Sequence, residues 1–335
     1  MRRGRGFAFV DAHGSRLDDL ETLQRIKDLG IPPAWTDVWI CPHPNGHLQA
    51  VGIDAAGRKQ YLYHPDWRRR RDQEKFDRML EFARALPKVR HLTNEHLRTD
   101  GLTAERVLAC SVRLLDRGFF RIGGETYAET NETYGLATMR KQHVKLSDRA
   151  ITFEYIAKSK KERYFSLVDA EVYDVVAALK RRRGGGDELL AYKVGSSWRD
   201  VKSSDINLYL KEISGGDYSA KDFRTWHGTV LASLALAVST EAFSSKAGRK
   251  RAISRAVQEA AHYLGNTPTV CRKSYIDPRV IDRYESGVTI SGVLEELGDV
   301  DLGEPALQGT VEDAVLDLIE GTKSSAIEKV TATAG

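Results

Sequence analysis

The pattern of predicted secondary structure changes near residue 85, and this change constrains the fold more than any other feature of the chain. Before it come the strand-like runs "DVWIC", "HLQAVGI" and "RKQYLYH", and the turn "DAAG" joins the last two as a hairpin. After it, helical spacing dominates, as in "TAERVLACSVRLLDRG", which begins after Thr103 and ends at Gly118. We therefore predict an α+β fold, in which a small mixed α/β domain precedes a larger, mainly α-helical domain. The predicted limits are residues 1–85, 86–295 and an acidic tail at 296–335.

Capping residues and breakers predict the limits of individual elements. Ser15 and Asp18 have the spacing of a capping box at the start of "SRLDDLETLQRIKDLG", and Pro87 should end the helix "DWRRRRDQEKFDRMLEFARAL". The runs "AITFEYIA" and "RYFSLV" predict two strands joined by the basic loop "KSKKE". "TVEDAVLDLIEG" predicts a short acidic amphipathic helix within a tail that we expect to be mobile.

Composition predicts a cytoplasmic globular protein. Of the 335 residues, 41% are hydrophobic and 29% are charged. No apolar run approaches the roughly 20 residues of a membrane span, and the apolar run in "MRRGRGFAFVDAHG" is too short for a signal peptide. Cys41, Cys110 and Cys271 form no CxxC pair, which argues against a disulfide framework or a zinc site.

Charge is unevenly distributed along the chain. Residues 1–295 contain 49 Lys and Arg against 38 Asp and Glu, whereas residues 296–335 contain 2 against 9. A basic body is typical of proteins that bind a polyanion, although a solvated basic surface would look the same.

Four separate stretches could carry chemistry, and each has a plainer explanation. Arg121 in "RGFFRIGGETY" precedes two glycines without the GK[ST] of a P-loop, so it could be a surface arginine at a turn. The lysines of "AKSKKE" could enter a groove or be solvated. Arg224 lies in the apolar helix "KDFRTWHGT", where burial requires an anion or a carboxylate partner. In "NTPTVCRKSYIDP", Cys271 and Tyr275 are alternative nucleophiles.

The order of these stretches resembles that of the type IB DNA topoisomerases, and in particular the short enzymes of bacteria and poxviruses. The resemblance extends to about residue 290 and rests on "RIGGETY", "KDFRTWHGT" and "NTPTVCRKSYIDP", with "GRKQYLYH" in the small domain. Tyrosine recombinases share the layout more loosely. They typically have a histidine two residues before the second arginine, where this chain has Asp222.

The resemblance implies a specific reaction. The family relaxes supercoiled duplex DNA by nicking one strand through a 3′-phosphotyrosyl intermediate and rejoining it, without ATP. By position, Tyr275 is the nucleophile, Arg121 and Arg224 bind the scissile phosphate, and Lys158 protonates the leaving 5′-oxygen. Asn266 occupies the fifth catalytic position.

The chain departs from the family pattern at two places. The family usually has glycine before the catalytic lysine, where this chain has Ala157, so Lys160 remains an alternative to Lys158. The fifth position is often histidine, whereas the alignment through "TP" places Asn266 there. His262, four residues earlier, is expected to pack or to cap a helix. An asparagine can donate a hydrogen bond but cannot accept a proton as a base would.

The resemblance also implies the partner and its binding residues. We expect a monomer whose two domains form a clamp around duplex DNA, with no cofactor and no metal, acting at the nucleoid. The alternative for the tyrosines of the small domain is packing in its core. A non-catalytic DNA-binding protein and a cysteine hydrolase built on Cys271 are the remaining alternatives, and no hydrolase motif accompanies that cysteine. The predicted DNA-binding residues are Arg58, Lys59, Gln60, Tyr61, Tyr63, Tyr127, Asn131 and Lys160.

Overall fold

The computed structural model describes residues 2–3, 6–239, 245–297, 305–322 and 324–329. Contacts divide the chain into two compact units, Met1–Asp77 and Arg78–Gly335, with the boundary inside one long helix. The fold is mixed α/β, as predicted, with a small sheet-containing unit and a larger helical one. The domain limits at residues 85 and 295 stay predictions.

The first unit is built around a three-stranded antiparallel sheet in the order β3-β4-β5. The turn between β4 and β5 is the predicted "DAAG", in which Asp54 Oδ1 accepts the backbone N–H groups of Ala56 and Arg58 at 2.9 and 3.0 Å. The elements are β1 (Arg2–Arg3), β2 (Gly6–Phe7), α1 (Leu20–Asp28), β3 (Thr36–Ile40), β4 (Leu48–Ile53), β5 (Lys59–Tyr63) and the start of α2 (Pro65–Leu97).

Two predicted helix limits are wrong. The first helix begins at Leu20 and is capped by Asp19, because Ser15 belongs to a preceding turn in which its N–H donates to Asp11. The second helix does not end at Pro87 but continues to Leu97. Pro87 lies on the exposed face of the helix, so its ring is accommodated outside the core. Its buried neighbours, such as Leu86, keep the helix packed on both sides of the proline.

The second unit is mainly helical and holds a second antiparallel sheet in the order β6-β7-β8. Helix α7 forms its centre, since Phe223 and Trp226 are fully buried there. Its elements are α3 (Ala104–Gly118), α4 (Glu125–Asn131), β6 (Val144–Ser147), β7 (Ala150–Ala157), β8 (Lys161–Val168), α5 (Ala170–Arg181), β9 (Ala191–Val194), β10 (Ser197–Asp200), α6 (Ser203–Ser214), α7 (Ala220–Ala237), α8 (Lys246–Leu264), α9 (Pro268–Ser274), α10 (Pro278–Glu285), β11 (Val288–Thr289), α11 (Ser291–Leu297), α12 (Pro305–Glu320) and β12 (Glu328–Lys329).

The acidic tail contains a docked helix. The predicted amphipathic helix is present as α12, and Val311, Ala314, Val315 and Leu318 are buried along one face. The expectation of a mobile tail is therefore wrong for this helix, because apolar positions three and four residues apart give it a face that packs into the second unit.

Candidate active site

Tyr275 is the C-cap residue of α9, and two residues of α7 fix its backbone. Its N–H donates to Cys271 O at 2.9 Å. A Cβ added to Gly228 would lie 2.6 Å from Tyr275 O, so only glycine allows α7 to approach this closely. Thr229 Oγ1 lies 3.3 Å from the same carbonyl and accepts the N–H of Asp277 at 3.1 Å. Helix α7 therefore sets the position of the tyrosine.

Arg224 lies on the same helix and is only 4% exposed. Its Nη1 donates to Phe119 O and its Nη2 to Leu264 O, both at 2.7 Å, and its guanidinium carbon lies 5.2 Å from the centre of the Tyr275 ring. Nε has no hydrogen-bond partner within the described residues. Burial, together with the nearby charge of Arg121, lowers the pKa of Arg224 to about 10, which still leaves it a cation at neutral pH.

Arg121 is held by a close approach of two loops. A Cβ on Gly135 would lie 2.5 Å from the backbone of Gly123, and Leu136 N–H donates to Arg121 O at 2.8 Å. Gly123 thus allows the close approach of the two backbones, and both Gly123 and Gly124 line the cavity described below. The Arg121 side chain donates to Oδ1 of Asn266.

Asn266 follows the left-handed Gly265 that ends α8, and its N–H donates to Ala261 O at 2.9 Å. The residue is 9% exposed, and its Nδ2 lacks a partner in the described part of the chain. Because Oδ1 is engaged by Arg121, the buried amide group remains as an available donor. His262 is exposed at the end of α8, where its carbonyl accepts from Arg163 at 3.1 Å.

Lys158 lies at the tip of the β7–β8 hairpin, in the predicted basic loop. Ser159 and Lys160 both have positive φ values, 67° and 54°, and these make the tight turn between the strands. Lys158 lines the cavity that contains Tyr275, whereas Lys160 does not line it. The cavity therefore favours Lys158 over Lys160 as the lysine that can reach a bound phosphate.

A cavity of about 370 Å³ brings these groups together. Asn266 joins the site through its hydrogen bond with Arg121. The sequence analysis singled out none of Thr133, Tyr134, Ala220 and Lys221. Lys221 lies one helical turn before Arg224, a spacing that could have indicated it. The lining residues are Arg121, Ile122, Gly123, Gly124, Thr133, Tyr134, Lys158, Ala220, Lys221, Arg224 and Tyr275.

The cations of the cavity change the acidity of Tyr275. Burial by itself would raise the pKa of the phenol, but the charges of Arg224, Arg121 and Lys221 and a hydrogen bond from Arg224 outweigh it. The pKa of Tyr275 is therefore below its usual value of 10. By contrast, burial raises the pKa of the Cys271 thiol to about 11, and the residue is completely buried. The site favours an oxygen nucleophile over a sulfur one.

Aromatic side chains form a stack in the first unit. The rings of Tyr61 and Tyr63 lie 6.2 Å apart at 15°, and the Tyr63 ring lies 4.5 Å from that of Trp67 at 21°. Tyr61 is 46% exposed and Lys59 is also exposed, so this face is not a packed core. Sheet pairing with alternate residues of β4 places Lys59 and Tyr61 on one side of the sheet.

The remaining predicted DNA-binding residues lie beside a turn or at exposed positions. Arg58 and Gln60 both bond to Asp54 at 2.9 Å, which holds them beside the hairpin turn. Asn131 is exposed at the end of α4, and Lys160 is exposed in the hairpin loop. The side chain of Tyr127 lies outside the described part of the structure.

Comparison with known proteins shows the family of the chain. The family model of the bacterial DNA topoisomerase IB N-terminal domain matches residues 6–54, and that of the eukaryotic DNA topoisomerase I catalytic core matches residues 64–293. The chain belongs to the type IB DNA topoisomerase family. Both matches agree with the predicted family and fold, and the five predicted catalytic residues all lie within the part matched by the catalytic core.

Several viral and fungal topoisomerases are similar to this family member. The DNA topoisomerase 1B of Acanthamoeba polyphaga mimivirus is 30% identical over 271 residues, which cover 79% of this chain and 80% of that protein. The DNA topoisomerase 1B of vaccinia virus (strain Copenhagen) is 21% identical over 78% of this chain and 81% of its own length. The DNA topoisomerase 1 of Mycosarcoma maydis is 25% identical over 56% of this chain but 19% of its own length. No helix among the described residues of this topoisomerase is long and apolar enough to span a membrane.

Proposed function

We propose that the protein relaxes supercoiled duplex DNA by nicking and rejoining one strand through Tyr275. The observation that carries this proposal is a single cavity in which a phenol of lowered pKa faces a buried arginine, a second arginine and a lysine. A phosphodiester accepts donors of this kind, and its negative charge would offset the repulsion among the cations.

In the proposed reaction, Tyr275 loses its phenolic proton to solvent, its oxygen attacks the scissile phosphorus, and the bond to the 5′-oxygen breaks. The leaving oxygen takes a proton from Lys158, and the tyrosine remains bound to the 3′-phosphate. Rotation of the free strand is followed by attack of the 5′-hydroxyl on the phosphotyrosine, which returns the proton to Lys158. The phenolate regains a proton from solvent after religation releases it. One ester replaces another, so the cycle has no need of ATP.

Arg224 and Asn266 would stabilise the charge that develops on the nonbridging oxygens. Arg224 Nε and Asn266 Nδ2 are buried donors that lack a partner among the described residues. A buried donor without an acceptor is costly, and a phosphate oxygen would satisfy each of them. Arg121 adds a second guanidinium beside them.

The first unit would bind the same duplex, so that the two units act as a clamp. The exposed Tyr61 and Lys59 suit contacts with a groove and with phosphates, respectively. Most such contacts would be ionic, and DNA affinity should therefore fall steeply with salt. A DNA substrate would place the protein at the nucleoid.

A single chain should suffice for the reaction. Arg121, Lys158, Arg224, Asn266 and Tyr275 all come from the unit Arg78–Gly335. Relaxation by a monomer predicts a specific activity that does not change on dilution, and loss of specific activity on dilution would indicate an obligate oligomer.

Mapping of the trapped covalent adduct tests the proposal directly. A duplex whose cut strand releases a short fragment that begins with the new 5′-hydroxyl should accumulate a protein–DNA adduct, and proteolysis should place the DNA on Tyr275. Tyr275→Phe should abolish both adduct and relaxation but still bind DNA. Tyr263→Phe, which removes a hydroxyl from an exposed tyrosine that does not line the cavity, is the matched control. Unchanged relaxation by Tyr275→Phe would exclude this mechanism.

The tyrosine recombinase alternative gives a different product. Relaxation of a supercoiled plasmid that carries no partner site is expected from a topoisomerase. Recombinant junctions as the sole product would favour a recombinase.

A further inference from the structure

A buried polar cluster connects the C-terminal helix α12 to the rest of the second unit. Glu312 of α12 is 8% exposed, and its Oε1 accepts from Trp226 Nε1 at 2.8 Å and from Arg90 Nη2 at 2.9 Å. Its Oε2 accepts from Arg90 Nη1 at 2.5 Å. Both carboxylate oxygens are therefore engaged by donors from two different helices, α2 and α7.

Arg90 also binds a second carboxylate. Its Nε donates to Asp116 Oδ2 at 2.8 Å and its Nη2 to Asp116 Oδ1 at 2.9 Å. Burial would raise the pKa of Asp116, but the charge of Arg90 outweighs it and keeps the pKa well below its usual range. We call Arg90, Asp116, Trp226 and Glu312 the Arg90 cluster.

Two members of the Arg90 cluster lie next to the groups that hold Arg224. Trp226 follows Arg224 by two residues on α7. Asp116 lies in the last turn of α3, just before Phe119, whose carbonyl accepts from Arg224 Nη1 at 2.7 Å. Phe119 has a φ of 54°, so the direction of that carbonyl depends on how α3 ends. The Arg90 cluster thus fixes both the helix that carries Arg224 and the turn that orients it.

Helix α12 supplies the central carboxylate from outside the region matched by the catalytic-core family model, which ends at residue 293. Its buried face, including Val315 at 0% exposure, anchors the helix in the second unit. A buried carboxylate adds little stability compared with an apolar residue of the same size, so its presence here calls for another reason.

We propose that Glu312 is a positioning residue for the cleavage reaction, and that it holds Arg224 in the orientation that binds the scissile phosphate. The inference rests on the proposed function of Arg224. Glutamine at position 312 would keep one acceptor but would turn an amide N–H toward the donors of Arg90 or Trp226. One of those donors would then lose its partner, and the constraint on Arg224 would loosen.

Single-turnover cleavage by Glu312→Gln tests the inference. We expect cleavage to slow by about 10- to 100-fold, since a small displacement of a catalytic group has an effect of this order. DNA affinity should change by less than about threefold, because Glu312 does not line the cavity. Two controls on the same helix should cleave at the wild-type rate. Glu320→Gln removes an exposed partner of Arg84. Val315→Ala removes buried apolar atoms of α12, which should lower the melting temperature, and leaves all four residues of the Arg90 cluster unchanged.

The distinguishing measurement repeats Glu312→Gln in an Arg224→Ala background. If Glu312 acts through Arg224, the second substitution should slow the residual cleavage by less than about threefold, because the two effects are not additive. An equal slowing in both backgrounds, or an equal slowing by Val315→Ala, would overturn the inference. If Glu312→Gln does not fold, Trp226→Phe undergoes the same tests, since it keeps the ring and removes one hydrogen bond.

Failure of this inference can be separated from failure of the proposed function. If the wild-type protein forms no adduct at Tyr275, the proposed function is wrong. If the wild-type protein forms the adduct and Glu312→Gln forms it equally fast, only the positioning role of Glu312 is wrong.

Discussion

Replacement of Asn266 by alanine is the most informative single perturbation of this site, because the asparagine has two separable contacts. Its Nδ2 is a buried donor without a partner in the described residues, and its Oδ1 accepts from Arg121. Asn266→Ala therefore removes one neutral donor to the phosphate and one constraint on a guanidinium. It leaves Arg224 with both of its carbonyl partners.

The size of the effect follows from the type of donor. A hydrogen bond to a charged acceptor contributes about 1.5–3 kcal/mol. At about 1.4 kcal/mol for each tenfold change in rate, the loss of Asn266 should slow cleavage by about 10- to 150-fold. Arg224→Ala removes an ionised donor and also one of the cations that lower the pKa of Tyr275, so it should slow cleavage by more than Asn266→Ala does. The order of the two variants is the essential prediction.

The assay is single-turnover formation of the covalent adduct on a duplex whose cleaved fragment dissociates, with excess protein. DNA affinity is measured separately with the Tyr275→Phe form of each variant, so that binding and chemistry are not confused. His262→Ala is the matched control, since His262 is exposed four residues earlier. A loss for Asn266→Ala equal to or greater than that for Arg224→Ala would refute the assignment of a neutral stabilising donor.

Three further predictions concern the same cavity. Lys158→Ala should slow cleavage by about 10²- to 10⁴-fold. A substrate with sulfur as the bridging 5′ atom should restore the rate of this variant, because a thiolate leaves without protonation. Lys160→Ala should cleave the ordinary substrate at the wild-type rate. Lys221→Gln removes one of the charges that lower the pKa of Tyr275, so the rising limb of the cleavage rate against pH should move to higher pH, and an unchanged limb would contradict this effect. Cys271→Ala should cleave at a rate within about threefold of wild type and still form the adduct. Loss of the adduct would instead support Cys271 as the nucleophile.

Local sequence patterns predicted most of the elements that carry the site. Thr103, the predicted start of α3, caps that helix by accepting the N–H of Arg106 at 3.2 Å. The hairpin that carries Lys158 was predictable from two apolar runs around a basic loop. These features depend on neighbouring residues, which a single sequence contains in full. The catalytic roles themselves came from the family resemblance and not from spacing.

Long-range contacts explain what the sequence did not predict. Glu312 looks like a solvated residue of an acidic helix, because nothing nearby in the chain indicates that Arg90 and Trp226 surround it. The continuation of α2 through Pro87 likewise depends on the burial of residues on either side of the proline, such as Leu86 and Val89, within the second unit. Gly228 is visible in the sequence near Arg224. The requirement for glycine there comes from the close approach of the Tyr275 backbone, which is distant in the chain.

Buried arginines of the second unit have two kinds of hydrogen-bond partner, and this difference is important for catalysis. Arg90 is neutralised by the carboxylates of Asp116 and Glu312. Arg224 is instead oriented by the carbonyls of Phe119 and Leu264, and Arg121 by an amide oxygen. A carbonyl fixes a guanidinium without cancelling its charge, so the charge remains available to a phosphate. Burial of an uncompensated cation is unfavourable, as the lowered pKa of Arg224 shows. The same uncompensated charge lowers the pKa of Tyr275. This charge would therefore stabilise both the attacking phenolate and the pentacoordinate phosphorus.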